Sequence, residues 1–519
     1  MKNRISMVAM PIDCNMNDNK QSKDENNKSH IVSDGYTEIT LFDKSGENTY
    51  GISVELDPHF LSQNIFKGLV DEKDWEIVEQ RVAKMEISRF RVMILPSWIE
   101  PFNDNGDSAV IDWNNLATES REMKSLCKVL DLAEKNGIDV NLTLWGAENN
   151  VALCDDNTMN SIRGGGGHFL AKGNNSSNWI IAASDPEEMA ENFSIYIQYL
   201  VNKKGYTCIK EITPINEPDW SYLMNDKVEF ENYKNLCLAI DARFKKDGIR
   251  DKVKFNLSDN TDNAVSWLEK TVTNLNDIAD MYNSHTYIFG YDTTNTAMRE
   301  WEIENLNNTR GTGKKHVVGE FGSNQNIGSS RQSDIDTYER GVLMTRQALN
   351  FYNAGAAGVS YWVLFDQYYS RTDSYDSMMQ LGLWKSTKKS YFPDKSYYDT
   401  VKEDYEVRDQ YYAYALLSKY VKRGTDVYPI ECGDEFVAGT AFKNSNGKWV
   451  YVFANGSEKN QKFAIYNPDN FATFDKFVYE KSGLPSNDGL LTSKGNFAVK
   501  NQVLEFELPA NSVVLFNEI

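Results

Sequence analysis

A repeated alternation between short apolar runs and amphipathic segments constrains the fold of this chain more than any other feature. The apolar runs, which predict strands, lie at 51–56, 88–95, 138–145, 209–215, 253–257, 278–287, 316–320 and 358–364. Apolar spacing predicts helices at 74–85, 121–136, 184–202, 226–246, 263–275, 293–307, 334–354 and 409–422. Parallel strands require long crossover connections, usually helices, so eight strand–helix units predict an α/β fold, the (β/α)8 TIM barrel.

The period of the pattern changes after residue 424. Short runs with strand composition follow one another there, separated by turn dipeptides such as Asn446-Gly447 and Asn455-Gly456. These dipeptides are typical of hairpins that join antiparallel strands. The pattern therefore predicts a C-terminal antiparallel β-sandwich domain at 425–519.

The N-terminal segments do not continue the barrel pattern. Residues 1–35 form a predicted flexible tail, because 14–34 are rich in Asn, Asp, Lys and Ser and bury too little apolar surface to fold. Polar and apolar side chains alternate from Tyr36 to Phe42, so 36–48 predicts an extra strand packed on the sandwich. The barrel domain is accordingly assigned to 36–424.

Two glutamates lie at the ends of predicted strands. The run at 209–215 is followed by Asn216-Glu217-Pro218, where proline stops the strand. Glu320 ends the run at 316–320. The carboxyl ends of barrel strands meet at one face, where catalytic groups of such barrels lie. Taken singly, either glutamate is equally well explained as an ion-pair partner or a helix cap; taken together, paired carboxylates are what cleavage of a glycosidic bond needs.

The two motifs carry a more specific resemblance. Asn216-Glu217-Pro218 and Gly319-Glu320-Phe321-Gly322 resemble the strand-four and strand-seven motifs of the clan of retaining (β/α)8 glycoside hydrolases. That clan, clan A, includes the cellulase-like, β-xylosidase and glucocerebrosidase-like families. The resemblance implies that Glu217 is the general acid/base and Glu320 the nucleophile, with no metal and no organic cofactor. It leaves the individual family open.

The resemblance also assigns two polar residues next to these glutamates. Arg91, on predicted strand two, matches the clan's arginine that holds the nucleophile ionised; the alternative is an ion pair with another barrel acid. Arg89 is expected to face away from the site. Asn216 matches the residue that hydrogen-bonds the sugar 2-hydroxyl, a contact that strengthens in the transition state. Its alternative is a turn asparagine.

The remaining candidates are aromatic residues and a histidine. His285 and Tyr287 match the clan's strand-six His-x-Tyr pattern, in which the tyrosine hydroxyl contacts the nucleophile; a structural histidine is the alternative. Trp362, on predicted strand eight, matches the platform on which a sugar ring stacks, with core packing as its alternative. Trp145 stands where many cellulase-like members carry a histidine, and together with Trp220 it is a candidate sugar contact.

The totals exclude several other classes of function. A net charge of −20 argues against nucleic-acid binding, which needs a positive field. No apolar run approaches the roughly 18 residues of a membrane span. The six cysteines lack CxxC spacing, and the five histidines lack HxH or HExxH spacing, so neither a zinc site nor a metal-dependent barrel hydrolase is expected.

The sequence thus predicts a retaining glycoside hydrolase that cleaves a β-linked glycoside through a covalent glycosyl-enzyme. Its partner would be an oligosaccharide or glycoside substrate. Two alternatives remain open, a transglycosylase that uses the same residues and a non-catalytic carbohydrate-binding barrel. The sugar, the linkage and the oligomeric state also remain open. The apolar patch at 5–10 is too short for a signal peptide, which leaves a cytoplasmic protein or a secreted one whose leader is absent.

Overall fold

A computed structural model describes most of the chain in fifteen ranges. These are residues 32–58, 72–100, 107–114, 116–144, 186–220, 222–223, 226–227, 229–262, 264–324, 332, 334–368, 378–385, 404–467, 472–486 and 488–519. The predicted tail at 1–35 lies largely outside them, and so does Trp145.

Two strands precede the barrel, β1 (Thr37–Leu41) and β2 (Gly46–Asn48). The barrel strands follow as β3 (Gly51–Glu55), β4 (Arg89–Ile94), β5 (Asp139–Leu144), β6 (Ile209–Thr213), β7 (Lys254–Asn260), β8 (Met281–Thr286), β9 (Lys315–Phe321) and β10 (Gly358–Tyr361). They pair in sequence order, all parallel, and β10 closes the barrel by pairing with β3. The predicted α/β fold class, a (β/α)8 TIM barrel, is confirmed.

The helices that surround the barrel coincide closely with the predicted segments. They are α1 (Glu72–Met85), α2 (Arg121–Asn136), α3 (Pro186–Ile197), α4 (Phe230–Lys246), α5 (Val265–Leu275), α6 (Asn295–Thr309), α7 (Glu339–Ala354) and α8 (Asp409–Tyr420). In α2 both ends follow from local chemistry. The Ser120 side chain accepts from the Met123 N–H, and Gly137 ends the helix in the left-handed conformation with a φ of 65°.

Two predicted helices begin clearly later than expected. The segment predicted at 334–354 becomes helical only at Glu339, after a turn at 334–336. The segment predicted at 226–246 becomes helical only at Phe230. Asp226–Lys227 instead pairs antiparallel with Tyr222–Leu223 in a two-residue ladder. The apolar spacing that predicted the helix does not distinguish this short hairpin from a first helical turn.

The interior of the barrel contains a layer of buried polar side chains. It includes Arg89, for which the prediction was wrong. Arg89 does not face away from the barrel interior; its guanidinium donates to Glu211 Oε2 at 2.6 Å, and both side chains are buried. Asn256 and Asn283 continue the layer through hydrogen bonds to Glu211 and to each other. Residues two apart on a strand share a face, so Arg89 and Arg91 both point inward.

The second sheet has ten strands and contains the C-terminal part of the chain. Its further strands are β11 (Thr425–Glu431), β12 (Val437–Lys443), β13 (Trp449–Asn455), β14 (Gln461–Tyr466), β15 (Thr473–Tyr479), β16 (Asn496–Ala498), β17 (Val503–Leu508) and β18 (Ser512–Glu518). The order is β16-β15-β18-β13-β12-β11-β1-β14-β17, with β2 paired to β11. All of these pairs are antiparallel except β1 with β14, in agreement with the predicted sandwich.

Strand β1 joins the two layers of the sandwich. Its first half pairs with β14, at Thr37–Ile39, and its second half pairs with β11, at Thr40 and Leu41. The strand predicted at 36–42 is therefore found, and it belongs to the second sheet. The predicted domain boundary between residues 424 and 425 stays a prediction.

Strand β13 shows how the sandwich packs on the barrel. Val450, Val452 and Ala454 belong to the apolar core that is continuous with the barrel. Trp449, Tyr451 and Phe453 belong to the separate core inside the sandwich. Alternate residues of a strand point to opposite faces, so this layer is buried on both sides.

In the described part of the chain, no helix combines the length and the apolarity needed to cross a bilayer.

Candidate active site

Glu217 lies on a turn that follows β6. Its backbone has a left-handed φ of 40°, which is uncommon for a residue with a side chain. The Glu217 N–H donates to the Asp259 carbonyl at 3.0 Å, and the Trp220 N–H donates to the Glu217 carbonyl at 2.9 Å. Pro218 cannot donate a ladder hydrogen bond, so the chain leaves the barrel wall at this point.

Glu320 lies near the carboxyl end of β9, directly across from Glu217. One carboxylate oxygen of Glu217 lies within 4.8 Å of one carboxylate oxygen of Glu320. The Glu320 side chain is 7% exposed and that of Glu217 is 23% exposed. The structure therefore brings together the two glutamates that the sequence singled out, one buried and one more open to solvent.

Two irregular strand pairings place the side chains around β8. Ser284 pairs with Val318, but the next residue, His285, pairs with Glu320, so Gly319 is an extra residue in β9. On the other side, Asn283 pairs with Ser258 and Ser284 pairs with Asn260, so Asp259 is an extra residue in β7. Such β-bulges redirect side chains and are frequent beside active sites.

Arg91 joins four residues from four parts of the barrel. Its guanidinium is fully buried. Nη1 donates to Glu320 Oε1 at 2.6 Å and to Glu55 Oε2 at 3.0 Å. Nη2 donates to Asn216 Oδ1 at 2.7 Å and to Asp259 Oδ2 at 2.8 Å. Arg91 thus contacts Glu320 and also pairs with two other acids, Glu55 and Asp259; its role at the nucleophile stays a prediction.

His285 and Tyr287 contact the two glutamates from β8 and the residue that follows it. The Tyr287 hydroxyl donates to Glu320 Oε2 at 2.8 Å. His285 Nδ1 lies 2.8 Å from Glu217 Oε1, and its Nε2 lies 3.2 Å from Asp259 Oδ1. Within the His-x-Tyr pair, His285 thus contacts Glu217 and Tyr287 contacts Glu320.

The charges of these groups depend on one another. Burial lowers the pKa of His285, but Glu320 and Asp259 raise it well above its usual value, which favours the imidazolium. Burial raises the pKa of Asp259, but Arg91 and His285 outweigh this effect and hold that pKa at about 2. Burial also raises the pKa of Glu320, against the opposing effects of His285 and Arg91.

Two acidic residues of this cluster were not predicted as site residues. Asp259 lies beyond the predicted end of strand five, at 257, although an acid at a strand end is the same signal that identified Glu217 and Glu320. Glu55 lies inside the predicted first strand, where a carboxylate among apolar residues was the available signal. Burial raises the pKa of Glu55 to about 8, with Glu320 also raising it and Arg91 opposing.

The predicted tryptophans have different positions. Trp362 directly follows β10; its N–H donates to the Phe321 carbonyl at 3.2 Å, and its side chain is buried at 5% exposure. Trp220 is 52% exposed, on the turn that also contains Glu217. Trp145 is outside the described residues. The roles of all three as sugar contacts stay predictions.

Three residues of this cluster have the side-chain types of metal ligands. Glu217, His285 and Glu320 could each offer one ligand atom to an ion. However, Glu320 Oε1 accepts from the Arg91 guanidinium and Oε2 accepts from Tyr287. Both oxygens of Glu320 thus already accept a hydrogen bond, and the raised pKa of His285 favours the imidazolium, which has no lone pair for a metal. These two facts argue against a metal here.

No family model and no curated protein sequence matches this chain. Solved structures do match it. The catalytic domain of GH30 xylanase C from Talaromyces cellulolyticus is 13% identical over 93% of this chain and 100% of that one, with a TM-score of 0.61. An endo-β-1,6-glucanase is 16% identical over 94% and 95%, with a TM-score of 0.59. A GH39 enzyme from Xanthomonas axonopodis pv. citri is 12% identical over 95% and 99%, with a TM-score of 0.58.

These structures share their fold with this chain along nearly its whole length. The predicted resemblance to clan A glycoside hydrolases is thereby confirmed at the level of the fold. Identities of 12% to 16% leave the activity of this chain to be argued from its own residues, because one fold supports many functions.

Proposed function

We propose that this protein is a retaining glycoside hydrolase that cleaves β-linked glycosides. One observation carries the proposal: a carboxylate oxygen of Glu217 and one of Glu320 lie within 4.8 Å of each other at the carboxyl end of the barrel strands. Retaining glycosidases have their two carboxyl groups about 5–5.5 Å apart, whereas inverting enzymes leave about 6.5–9.5 Å for a water molecule. The observed separation supports retention.

In the first step, ionised Glu320 attacks the anomeric carbon while protonated Glu217 gives its proton to the leaving oxygen. The glycosidic bond breaks, and a glycosyl ester forms on Glu320. In the second step, Glu217, now ionised, takes a proton from water, whose oxygen attacks the anomeric carbon and releases Glu320. Each residue ends in its starting protonation state, so no cofactor is needed.

The surrounding contacts suit these roles. Arg91 and Tyr287 donate to separate oxygens of Glu320, so they stabilise its negative charge and fix its direction. Glu217 is the more exposed of the pair, as an acid that exchanges protons with leaving group and water must be. Asn216 has its side-chain oxygen on Arg91, which orients the amide that we assign to the sugar 2-hydroxyl.

The structural relatives suggest which substrates to propose for this chain. These relatives include a xylanase and an endo-β-1,6-glucanase, so xylans and β-glucans are the first polymers to test. Nitrophenyl β-glycosides of glucose, galactose, xylose and mannose complete the panel, because the described residues do not specify one sugar.

The decisive variant is Glu320→Gln, which keeps the side-chain volume and removes the nucleophile. We expect turnover of the best aryl β-glycoside to fall by about 10⁴-fold or more with the melting temperature little changed. Glu302→Gln is a matched control, since Glu302 is also buried beside a histidine, His316, but lies on α6 away from the site. It should retain turnover.

The stereochemistry of the product tests retention separately. Proton NMR of the first-formed sugar should show the β-anomer before mutarotation. An α-anomer would mean inversion and would overturn the double displacement. Sugar transfer to an added alcohol at the expense of hydrolysis would identify a transglycosylase, and binding without release of sugar would identify a carbohydrate-binding barrel.

A further inference from the structure

We infer that Asp259 is a positioning residue that holds the two catalytic glutamates in register with each other. The inference rests on the proposed function and assigns a residue that the sequence motifs do not contain. Asp259 touches neither glutamate with its carboxylate, and it acts through Arg91 and His285.

The contacts form two arms that start from one carboxylate. Asp259 Oδ2 accepts from Arg91 Nη2 at 2.8 Å, and Arg91 Nη1 donates to Glu320 at 2.6 Å. Asp259 Oδ1 lies 3.2 Å from His285 Nε2, and His285 Nδ1 lies 2.8 Å from Glu217. The Asp259 carbonyl also accepts the Glu217 N–H at 3.0 Å. A shift of Asp259 would therefore move the partners of both glutamates.

The backbone at this position is held in a costly conformation. Ser258 and Asp259 have φ values of 83° and 52°, where residues with side chains are rare. Such strain persists only where surrounding contacts enforce it, and it is concentrated at functional sites. Here the Ser258 N–H donates to the Tyr233 hydroxyl at 2.9 Å, and its hydroxyl donates to Asn260 at 2.6 Å.

The charge on Asp259 also determines whether His285 Nδ1 carries a proton where it faces Glu217. The imidazole faces three acids, Glu217, Asp259 and Glu320, and Arg91 is the cation beyond Asp259. Together the three acids favour a doubly protonated imidazole ring. In that state Nδ1–H donates to Glu217 Oε1, so the acidic proton of Glu217 must lie on its other oxygen. We assign that oxygen to the leaving group.

The test is the variant Asp259→Asn, which keeps the shape and removes the charge. The pKa of His285 should then fall, so the ring loses a proton as the pH rises through the assay range. If Nε2–H remains on the new amide oxygen, Nδ1 becomes an acceptor that binds the proton of Glu217. We expect kcat/KM to fall by about 10²-fold and its alkaline limb to move to lower pH.

A measurement on the ring itself needs no turnover. The chain has five histidines, so the His285 imidazole signals can be assigned by their loss in His285→Gln. In the wild type they should not titrate between about pH 5 and 9, and in Asp259→Asn they should titrate within that window. Asp334→Asn is the control: Asp334 is buried and accepts from Arg340 at 2.7 Å and from Tyr291 at 2.8 Å. It should change neither readout.

Two results would overturn the inference. One is a wild-type His285 that titrates near the usual imidazole pKa, which needs no variant to fold. The other is an Asp259→Asn protein with lower activity but an unshifted pH profile, since a merely structural role predicts that pattern. An active Glu320→Gln enzyme would instead refute the proposed hydrolase while leaving the His285 titration interpretable.

Discussion

Arg91 carries much of the geometry of the site at the scale of single residues. It contacts residues from β3, β7 and β9 and from the turn after β6, and each contact uses one of the two terminal nitrogens. A buried guanidinium can do this because its donors are fixed in one plane. Three of the four acceptors are carboxylates, so the cluster around Arg91 holds more acid than one cation neutralises.

Burial favours the protonated form of Glu55, another acid of this cluster. Its Oε2 accepts from Arg91 at 3.0 Å, while Oε1 is buried and has no hydrogen-bond partner within the described residues. Burial raises the pKa of Glu55 to about 8, so this carboxyl is neutral at pH 7. A neutral acid there limits the repulsion between Glu55 and Glu320.

Replacing Glu55 by glutamine should therefore change the pH dependence of stability. The folded state keeps a proton that the unfolded state releases above its ordinary pKa, so wild-type stability falls as the pH rises from about 4.5 to 8. The fall amounts to at most about 1.4 kcal/mol per pH unit. Because glutamine does not titrate, Glu55→Gln should gain stability relative to the wild type across this range.

Melting temperatures of the two proteins at several pH values measure this difference. Glu76→Gln on the exposed face of α1 is the control and should track the wild type throughout. A constant difference between Glu55→Gln and the wild type from pH 4.5 to 8 would show that Glu55 is ionised when folded.

The sequence identified the residues of this site that lie in recognisable motifs. Glu217, Glu320, Arg91 and His285 are all found together, although their roles stay predictions. Asp259 and Glu55 were missed for a physical reason. Their importance comes from contacts made across the barrel by Arg91, and a strand pattern gives the face of a residue but not its partner on another strand.

At the scale of elements, the bulges on β7 and β9 bring Asp259 and Glu320 into contact with the side chains around them. If Gly319 paired regularly with His285 instead of being an extra residue, Glu320 would lie opposite Thr286, because Val318 pairs with Ser284. A shift of one residue moves a side chain to the other face of a strand. The bulge thus gives Glu320 its inward direction.

Gly319→Ala should disturb this bulge. A Cβ at residue 319 would lie 2.5 Å from Asn283 Oδ1, and Asn283 cannot easily yield because it is buried and donates to Asn256 at 2.7 Å. Overpacking of this kind costs about 1–3 kcal/mol. We expect lower stability in chemical denaturation and a larger loss of kcat than of substrate affinity, since Glu320 would move.

Gly46→Ala provides a matched control in the second sheet. The nearest atom to its added Cβ is the Gly355 carbonyl oxygen at 4.0 Å, so this variant should behave as wild type. Gly319→Ala with unchanged kcat and stability would mean that the strand adjusts without moving Glu320.

The elements themselves were more predictable than their pairing. Helix α2 was predicted with its final bounds from its apolar spacing, which ends before Gly137. Strand β9 was predicted from its apolar run. The bulge inside β9 was not, since Gly319 in an apolar strand is equally compatible with regular pairing. Register depends on contacts between strands that the sequence of one strand does not contain.

At the scale of the whole molecule, the sandwich packs against the barrel and stabilises it. Helix α7 packs against β11, β12 and β13. The Asn353 side chain at its end donates to the Gly439 carbonyl at 2.8 Å, and the Thr440 hydroxyl donates to Asn353 at 2.8 Å. Since β9 and β10, the strands around Glu320, are joined by α7, loosening of the sandwich should reach the site.

Tyr479 is the residue at which this coupling can be tested. Its ring stacks on Tyr338, at the start of α7, with ring centroids 4.6 Å apart. Its hydroxyl donates to the Tyr338 carbonyl at 2.7 Å, and the Tyr338 hydroxyl donates to the Asn511 carbonyl at 2.6 Å. Tyr479→Ala should cost about 3 kcal/mol or more, because it leaves a cavity between two buried layers.

If barrel and sandwich unfold as one unit, Tyr479→Ala lowers the temperature of a single calorimetric transition, and activity is lost at that same lower temperature. If they unfold separately, the sandwich melts first in its own transition while the barrel keeps its wild-type inactivation temperature. The shared core, in which Val450 and Val452 pack with barrel residues, favours the first outcome. Phe42→Ala is the control. Phe42 directly follows β1 of the second sheet, and its side chain is 50% exposed, so this variant should leave both temperatures unchanged.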